Sequence, residues 1–218
     1  RLLEHEFSFK CLPVVVGLIE RFREKSSYFD ENRVRGSVVN HIGDAVRIKN
    51  TSIPDVLLVE LDSFVDHRGV FVRQWDAEQW AERGLGPFVQ DNVSCSEPGV
   101  LRGLHFQKKA PQGKLLQVMH GEIFDVAVDI RESSATRGQW VGVHLRAGDH
   151  RQLWVPPGFA HGFAVINGAA TVHYRCTTPY DATDQHGIRW DDPNLQIDWP
   201  VVDPILSERD AKLPEWTP

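Results

Sequence analysis

From residue 53 onward the chain alternates short apolar runs with breaks of Gly, Pro and Asp, and few of the runs are long enough for a helix. Stretches 56–61, 70–75, 88–95, 100–107, 115–120, 123–130, 140–145, 152–155, 162–166 and 171–176 carry the alternating or continuously apolar character of strands. His120-Gly121 lies between two of them in the manner of a hairpin turn. The pattern predicts one helix over 77–83, with Asp76 and Gln79 spaced as a capping box and Gly84 as the stop. Strands this short and this regularly spaced predict an all-β domain, a double-sheet jelly roll or barrel with a few short helices. The interior of such a barrel is either filled by side chains or left open as a ligand pocket. The tail from Asp191 is rich in Asp, Pro and Trp and is expected to wrap the outside, from where Asp210 can fold back over the barrel mouth.

Residues 1–50 differ in character. Stretch 14–29 mixes apolar and charged positions in a way that predicts one helix, and 31–50 has no sustained period. The expected organisation is therefore an N-terminal extension over 1–51, with no chemistry assigned to it, and a barrel domain with its wrapping tail over 52–218. The chain begins at Arg1 and not at Met, so its true start is expected to lie upstream.

Composition narrows the partners. The 218 residues carry 25% charged and 41% hydrophobic side chains and a net charge of −6, the balance of a soluble globular protein. An acidic excess argues against a nucleic-acid surface, so an anionic ligand must be met by a local cluster of Arg and Lys. No apolar run approaches membrane-spanning length, and the longest, 11–19, lacks the flanks of a secretory signal. The three cysteines, Cys11, Cys95 and Cys176, are scattered and odd in number; they read as reduced, buried thiols of a cytoplasmic protein.

The chemistry gathers in 99–114, which holds Arg102, His105 and Lys114 among apolar and turn-forming residues. Arg102 can fork onto an anion. His105 can exchange a proton near neutral pH, and Lys114 can hold a negative charge in place. An ordinary strand with one satisfied His is the plain alternative. Arg102 and His105 are three apart, which on a regular strand points them to opposite faces. Both serve one pocket only if Gly103 marks a bulge or Arg102 reaches round the edge. Further on, Pro156-Pro157-Gly158-Phe159-Ala160-His161-Gly162-Phe163 sets a rigid turn before a second strand His. The two stretches resemble the half-motifs of a cupin barrel. Metal-dependent cupins take two His separated by one residue, then a Glu, from the first half; here Leu104-His105-Phe106-Gln107 supplies one nitrogen. Two imidazoles without a carboxylate make a poor divalent-metal site, so neither metal nor other cofactor is expected.

Five stretches now stand in order: Leu101-Arg102-Gly103-Leu104-His105-Phe106-Gln107; Phe124-Asp125-Val126 leading to Val128-Asp129-Ile130-Arg131; Gly158 to Phe163; Gly187-Ile188-Arg189-Trp190-Asp191-Asp192-Pro193; and Ser207-Glu208-Arg209-Asp210. Together they resemble the dTDP-4-dehydrorhamnose 3,5-epimerases, over about residues 53–216. The resemblance implies a metal-free cupin homodimer that inverts C3 and C5 of a dTDP-linked 4-keto-6-deoxyhexose. It implies His105 as base, Asp210 as its paired carboxylate, Lys114 near the C4 oxygen and Tyr174 as acid. It places Arg68, Phe71, Gln90, Asn92, Arg102, Asp125, His161 and Arg209 where the family binds substrate, with Tyr180 against the thymine. Gln90, Asn92 and Tyr180 taken singly read equally well as surface or core polar groups, and Arg68 beside Gly69 as turn chemistry. Asp125 either faces the pocket or anchors His161. Two positions depart from the family: Arg73 and Gln185 stand where many members carry Glu, which leaves the base and sugar preference open. A single-carbon epimerase, a metal-dependent cupin enzyme and a non-catalytic sugar-nucleotide binder are the competing readings.

Overall fold

The computed structural model describes residues 46–217. The helix expected over 14–29 lies outside the described residues. The strands are β1 Val46–Asn50, β2 Leu57–Leu61, β3 Ser63–Asp66, β4 Gly69–Val72, β5 Gln90–Ser96, β6 Leu101–Gln107, β7 Lys114–Asp129, β8 Trp140–Arg146, β9 Arg151–Val155, β10 Phe159–Cys176 and β11 Gln185–Gly187, with the helix α1 Ala77–Glu82. β1 pairs with β2 in the main sheet, so the strand region begins before residue 52 and takes in the end of the stretch expected to be an extension. A 16-residue strand and an 18-residue strand, β7 and β10, run antiparallel and organise the rest.

Each of these two long strands bends and changes partners. Residues 159–166 of β10 pair with 122–129 of β7, flanked by β6 and β11 on one side and β8 on the other. Residues 171–176 of β10 pair with 114–120 of β7, flanked by β5 on one side and by β9, β2 and β1 on the other. The result is two half-sheets sharing two strands, an all-β jelly roll of the cupin kind. The expected hairpin at His120-Gly121 is instead the bend of one continuous strand. Gly121 has φ +75°, and a Cβ there would lie 2.2 Å from the Ala169 carbonyl oxygen, so only glycine lets β7 pass this close to β10. The register shifts at the same level. Inward positions are therefore Leu116 and Val118 before the bend, and Ile123, Asp125 and Ala127 after it.

Inward residues of both half-sheets meet in one core that includes Leu116, Val118, Ile123, Leu145, Leu153, Phe163 and Val172. Each side chain of this size contributes about 1.5–3 kcal/mol by leaving water. α1 sits over the second half-sheet through Trp80, which packs with Leu115 and Trp154. Asp76 caps that helix by accepting from the Gln79 N–H at 3.1 Å, and Gly84, φ +72°, follows it. The reciprocal half of the capping box is absent, because Gln79 Oε1 is buried without a partner. The tail covers the first half-sheet: Leu195, Ile197, Trp199 and Trp216 pack against Phe124, Val126 and Val128. β3 and β4 form a separate hairpin whose Phe64, Val65, Val70 and Phe71 are exposed.

Candidate active site

One end of the barrel is left open as a cavity of about 460 Å³. β6 brings Arg102 and His105 to it, β7 brings Lys114, β10 brings His161 and Tyr174, and the tail closes it with Ser207, Arg209 and Asp210. The parity problem on β6 is solved by a bulge. His161 stands opposite His105 and Phe163 opposite Arg102, so three steps on β6 face two on β10. Gly103, φ +126°, sits at the bulge with room for no side chain: a Cβ would lie 2.6 Å from Gly162 Cα. The extra residue turns both Arg102 and His105 into the same cavity.

His105 and Asp210, 105 residues apart, meet at 2.7 Å between Nε2 and Oδ1. Asp210 is fixed on its other side by the Gly103 N–H, which donates to Oδ2 at 3.3 Å. Burial raises the Asp210 carboxyl, but the hydrogen bonds from His105 and the Gly103 N–H outweigh it and hold the group below its ordinary value. An ionised Asp210 accepts from Nε2–H, which leaves the Nδ1 lone pair of His105 free.

A second histidine–carboxylate pair lies on the neighbouring strand. His161 Nε2 is 3.0 Å from both oxygens of Asp125, which is fully buried behind it. With Nε2–H donated, His161 Nδ1 accepts from Lys114 Nζ at 3.5 Å. Burial lowers the pKa of His161 against the pull of Asp125, so the ring is held neutral. Burial also lowers Lys114, which has no carboxylate within ion-pair distance among the described residues. Burial raises Tyr174 and keeps the phenol protonated. Arg102 donates from Nε to Ser96 Oγ at 2.9 Å.

Not every candidate reaches the cavity. Asp125 anchors His161 and does not line it. Arg68 lies at the turn of the β3–β4 hairpin, 78% exposed, with its guanidinium on Asp66 at 2.6 Å; Phe71, on β4, is 66% exposed. Neither lines the cavity of its own chain. Gln90, Asn92 and Tyr180 form a polar chain beside it: Gln90 donates to Asn92 Oδ1, and Tyr180 N–H donates to Gln90 Oε1. Tyr180 O–H continues the chain to Gln185 Oε1 at 2.6 Å, and Gln185 does line the cavity and bonds Arg209. Arg73 faces Asp76 at 3.8 Å. Sequence reasoning passed over Ser94, whose buried hydroxyl lines the cavity with no partner. The alternation Gln90, Asn92, Ser94, Ser96 along β5 was the available signal. It also expected every cysteine to be buried; Cys176 is, whereas Cys95 is exposed, both are free thiols, and Cys11 lies outside the described residues.

No three His, Cys, Asp or Glu side chains converge as a metal-binding group among the described residues, and each cavity histidine is turned onto its own carboxylate. Nor is any described helix long and apolar enough to cross a membrane. A cupin barrel whose pocket brings together two histidines, each held by a carboxylate, with a half-buried lysine and a half-buried phenol carries groups that can exchange protons with a ligand. The chain belongs to the dTDP-4-dehydrorhamnose 3,5-epimerase family, whose model matches residues 50–217. It is 46% identical over 176 residues to the epimerase of that name from Methanothermobacter thermautotrophicus, covering 79% of this chain and 94% of the relative. The Bacillus anthracis epimerase structure with TDP and pyrophosphate bound matches with TM-score 0.76 and 45% identity, covering 79% of this chain and all of that one. The Legionella pneumophila enzyme in complex with dTDP-4-keto-L-rhamnose matches with TM-score 0.74 and 43% identity at the same coverage.

Proposed function

We propose that the protein inverts C3 and C5 of dTDP-4-dehydro-6-deoxy-D-glucose to give dTDP-4-dehydro-L-rhamnose. The protons alpha to the C4 ketone are removed and returned on the opposite ring face. The His105–Asp210 pair sharing one cavity with Lys114 and Tyr174 carries this reading. His105 Nδ1 takes the proton, and Asp210 stabilises the imidazolium that results. Such a positioned base contributes ~10²–10⁴ in rate. Lys114 donates to the C4 oxygen as it becomes an enolate, and a donor of that kind contributes about 10²–10³. His161, itself oriented by Asp125, fixes where the Lys114 ammonium points. Tyr174 O–H supplies the proton from the far half of β10, while His105 works from β6. Arg102 and Arg209 meet the diphosphate.

The active form is a homodimer. Arg68 and Phe71 ride on an exposed apolar hairpin that leaves its own cavity untouched, an arrangement suited to reaching a second copy. Tyr180, Gln90 and Asn92, beside the mouth, receive the nucleoside. Two free thiols among the described residues suit a reducing, cytoplasmic setting.

Incubating dTDP-4-dehydro-6-deoxy-D-glucose with enzyme in D₂O should give product carrying solvent deuterium at both C3 and C5 by NMR. Deuterium at one carbon only would make the protein a single-site epimerase, and none at either would overturn the reading.

A further inference from the structure

Outside the first half-sheet, between β6, β11 and the tail, lies a second cavity of about 560 Å³. Its aromatic lining is partly pre-stacked: the His186 ring lies on Phe106 with centroids 5.7 Å apart and 27° between planes. Trp216 forms another part, with the Arg137 guanidinium 5.9 Å from its ring centre. Three cations line the groove, Lys108, Arg137 and Arg209, and among the described residues none has a carboxylate within ion-pair distance. Of the two carboxylates present, Glu215 is taken by Arg189 at 3.1 Å, which leaves Glu132. Three uncompensated cations therefore face one free carboxylate, in a chain whose net charge is −6.

Cations gathered without counterions beside flat rings match one ligand chemistry, phosphate oxygens joined to an aromatic base. Guanidinium forks and an ammonium suit the phosphates, and ring faces suit the base. We propose that this groove is a second nucleotide site, taking a nucleoside diphosphate with its phosphates against Lys108, Arg137 and Arg209 and its base against the Trp216 and His186 rings. It is separate from the sugar pocket but not independent of it, because Gln185 and Arg209 line both cavities. An anion in the groove draws on the same Arg209 guanidinium that the substrate diphosphate uses, so occupancy lowers affinity in the catalytic pocket. That last step rests on the substrate role proposed for Arg209; the existence of the groove site does not.

Calorimetric titration of the full chain with dTDP tests it. Wild type is expected to bind two molecules per chain, and Lys108→Ala/Arg137→Ala to weaken one of the two sites at least tenfold while leaving the other within twofold. Inorganic pyrophosphate should bind the groove at least tenfold more weakly than dTDP. A single site in wild type, or two unchanged sites in the double variant, would overturn the proposal; equal affinity for pyrophosphate would reduce the groove to a bare anion site and overturn the nucleotide assignment. In kinetics, dTDP should raise KM without lowering kcat, with KM curving against dTDP concentration in wild type and rising linearly in the double variant, at unchanged rate without dTDP. That contrast failing while the two binding sites persist would leave the groove standing and remove the shared role of Arg209.

Discussion

At the scale of single residues the account rests on which nitrogen of each histidine is free. Asp210 takes Nε2–H of His105 and Asp125 takes Nε2–H of His161, so both rings present Nδ1. In the proposed mechanism that nitrogen of His105 is the base, and that of His161 is the acceptor that holds Lys114. Asp210→Asn keeps the shape but removes the charge opposite the imidazolium. It is expected to lower kcat/KM by ~10²–10⁴, or roughly 3–5 kcal/mol of barrier, with little change in melting temperature; a loss under fivefold would contradict the pairing. Lys114 gives a pH prediction. Burial lowers its pKa, and the ammonium gives an enolate a positive charge and a charge-assisted donor that the neutral amine lacks. The kcat/KM of the free enzyme should thus fall as pH rises through a value below the ordinary lysine one of about 10.4. Burial moves Tyr174 the other way, upward, and Tyr174→Phe should leave that limb in place. Lys114→Arg should move the limb upward; a limb unmoved by that change would assign it elsewhere.

The scale of whole elements shows where periodicity informs and where it fails. The phase of inward residues flips across Gly121, and a hairpin and a bent strand produce the same flip in sequence. Only the continued pairing of β7 with β10 on both sides separates them. The bulge at Gly103 was legible, because Arg102 and His105 share a pocket only if the strand is irregular between them. Its cause was not legible, since it lies in the close approach of Gly162 from a distant strand, β10. Gly103→Ala should therefore cost about 3 kcal/mol or more in a urea melt, combining strained backbone with overpacking. Gly99→Ala, also at positive φ but with open space around it, should cost only about 1–2 kcal/mol of strain. Equal losses at the two positions would mean that packing against Gly162 is not the constraint. Asp210 shows the limit of local pattern. No period links it to His105, and only the ordered motifs placed the two together before the tail's course over the barrel was known.

At the scale of the whole molecule, the site is assembled from both half-sheets and closed by the tail. Arg68 and Phe71 were readable as substrate residues only through family likeness, and they stand outside the cavity because their hairpin leaves the barrel that it belongs to. If that hairpin serves a second copy, Phe71→Asp should shift the protein from dimer to monomer in sedimentation while the barrel's melting temperature stays within a few degrees. A monomeric wild type, or a variant that remains dimeric with full affinity for dTDP, would contradict the assignment. The central claim is that base and acid act on opposite faces of the sugar, and the ratio of deuterium wash-in to inversion in D₂O tests it most directly. With Tyr174→Phe, His105 and Lys114 still form the enolate, which is then reprotonated mainly from the face it came from. Wash-in at C3 or C5 should persist while inverted product per exchange event falls at least tenfold, whereas His105→Ala should lose both together. A Tyr174→Phe enzyme that keeps full inversion, or loses exchange and inversion in equal proportion, would contradict the account.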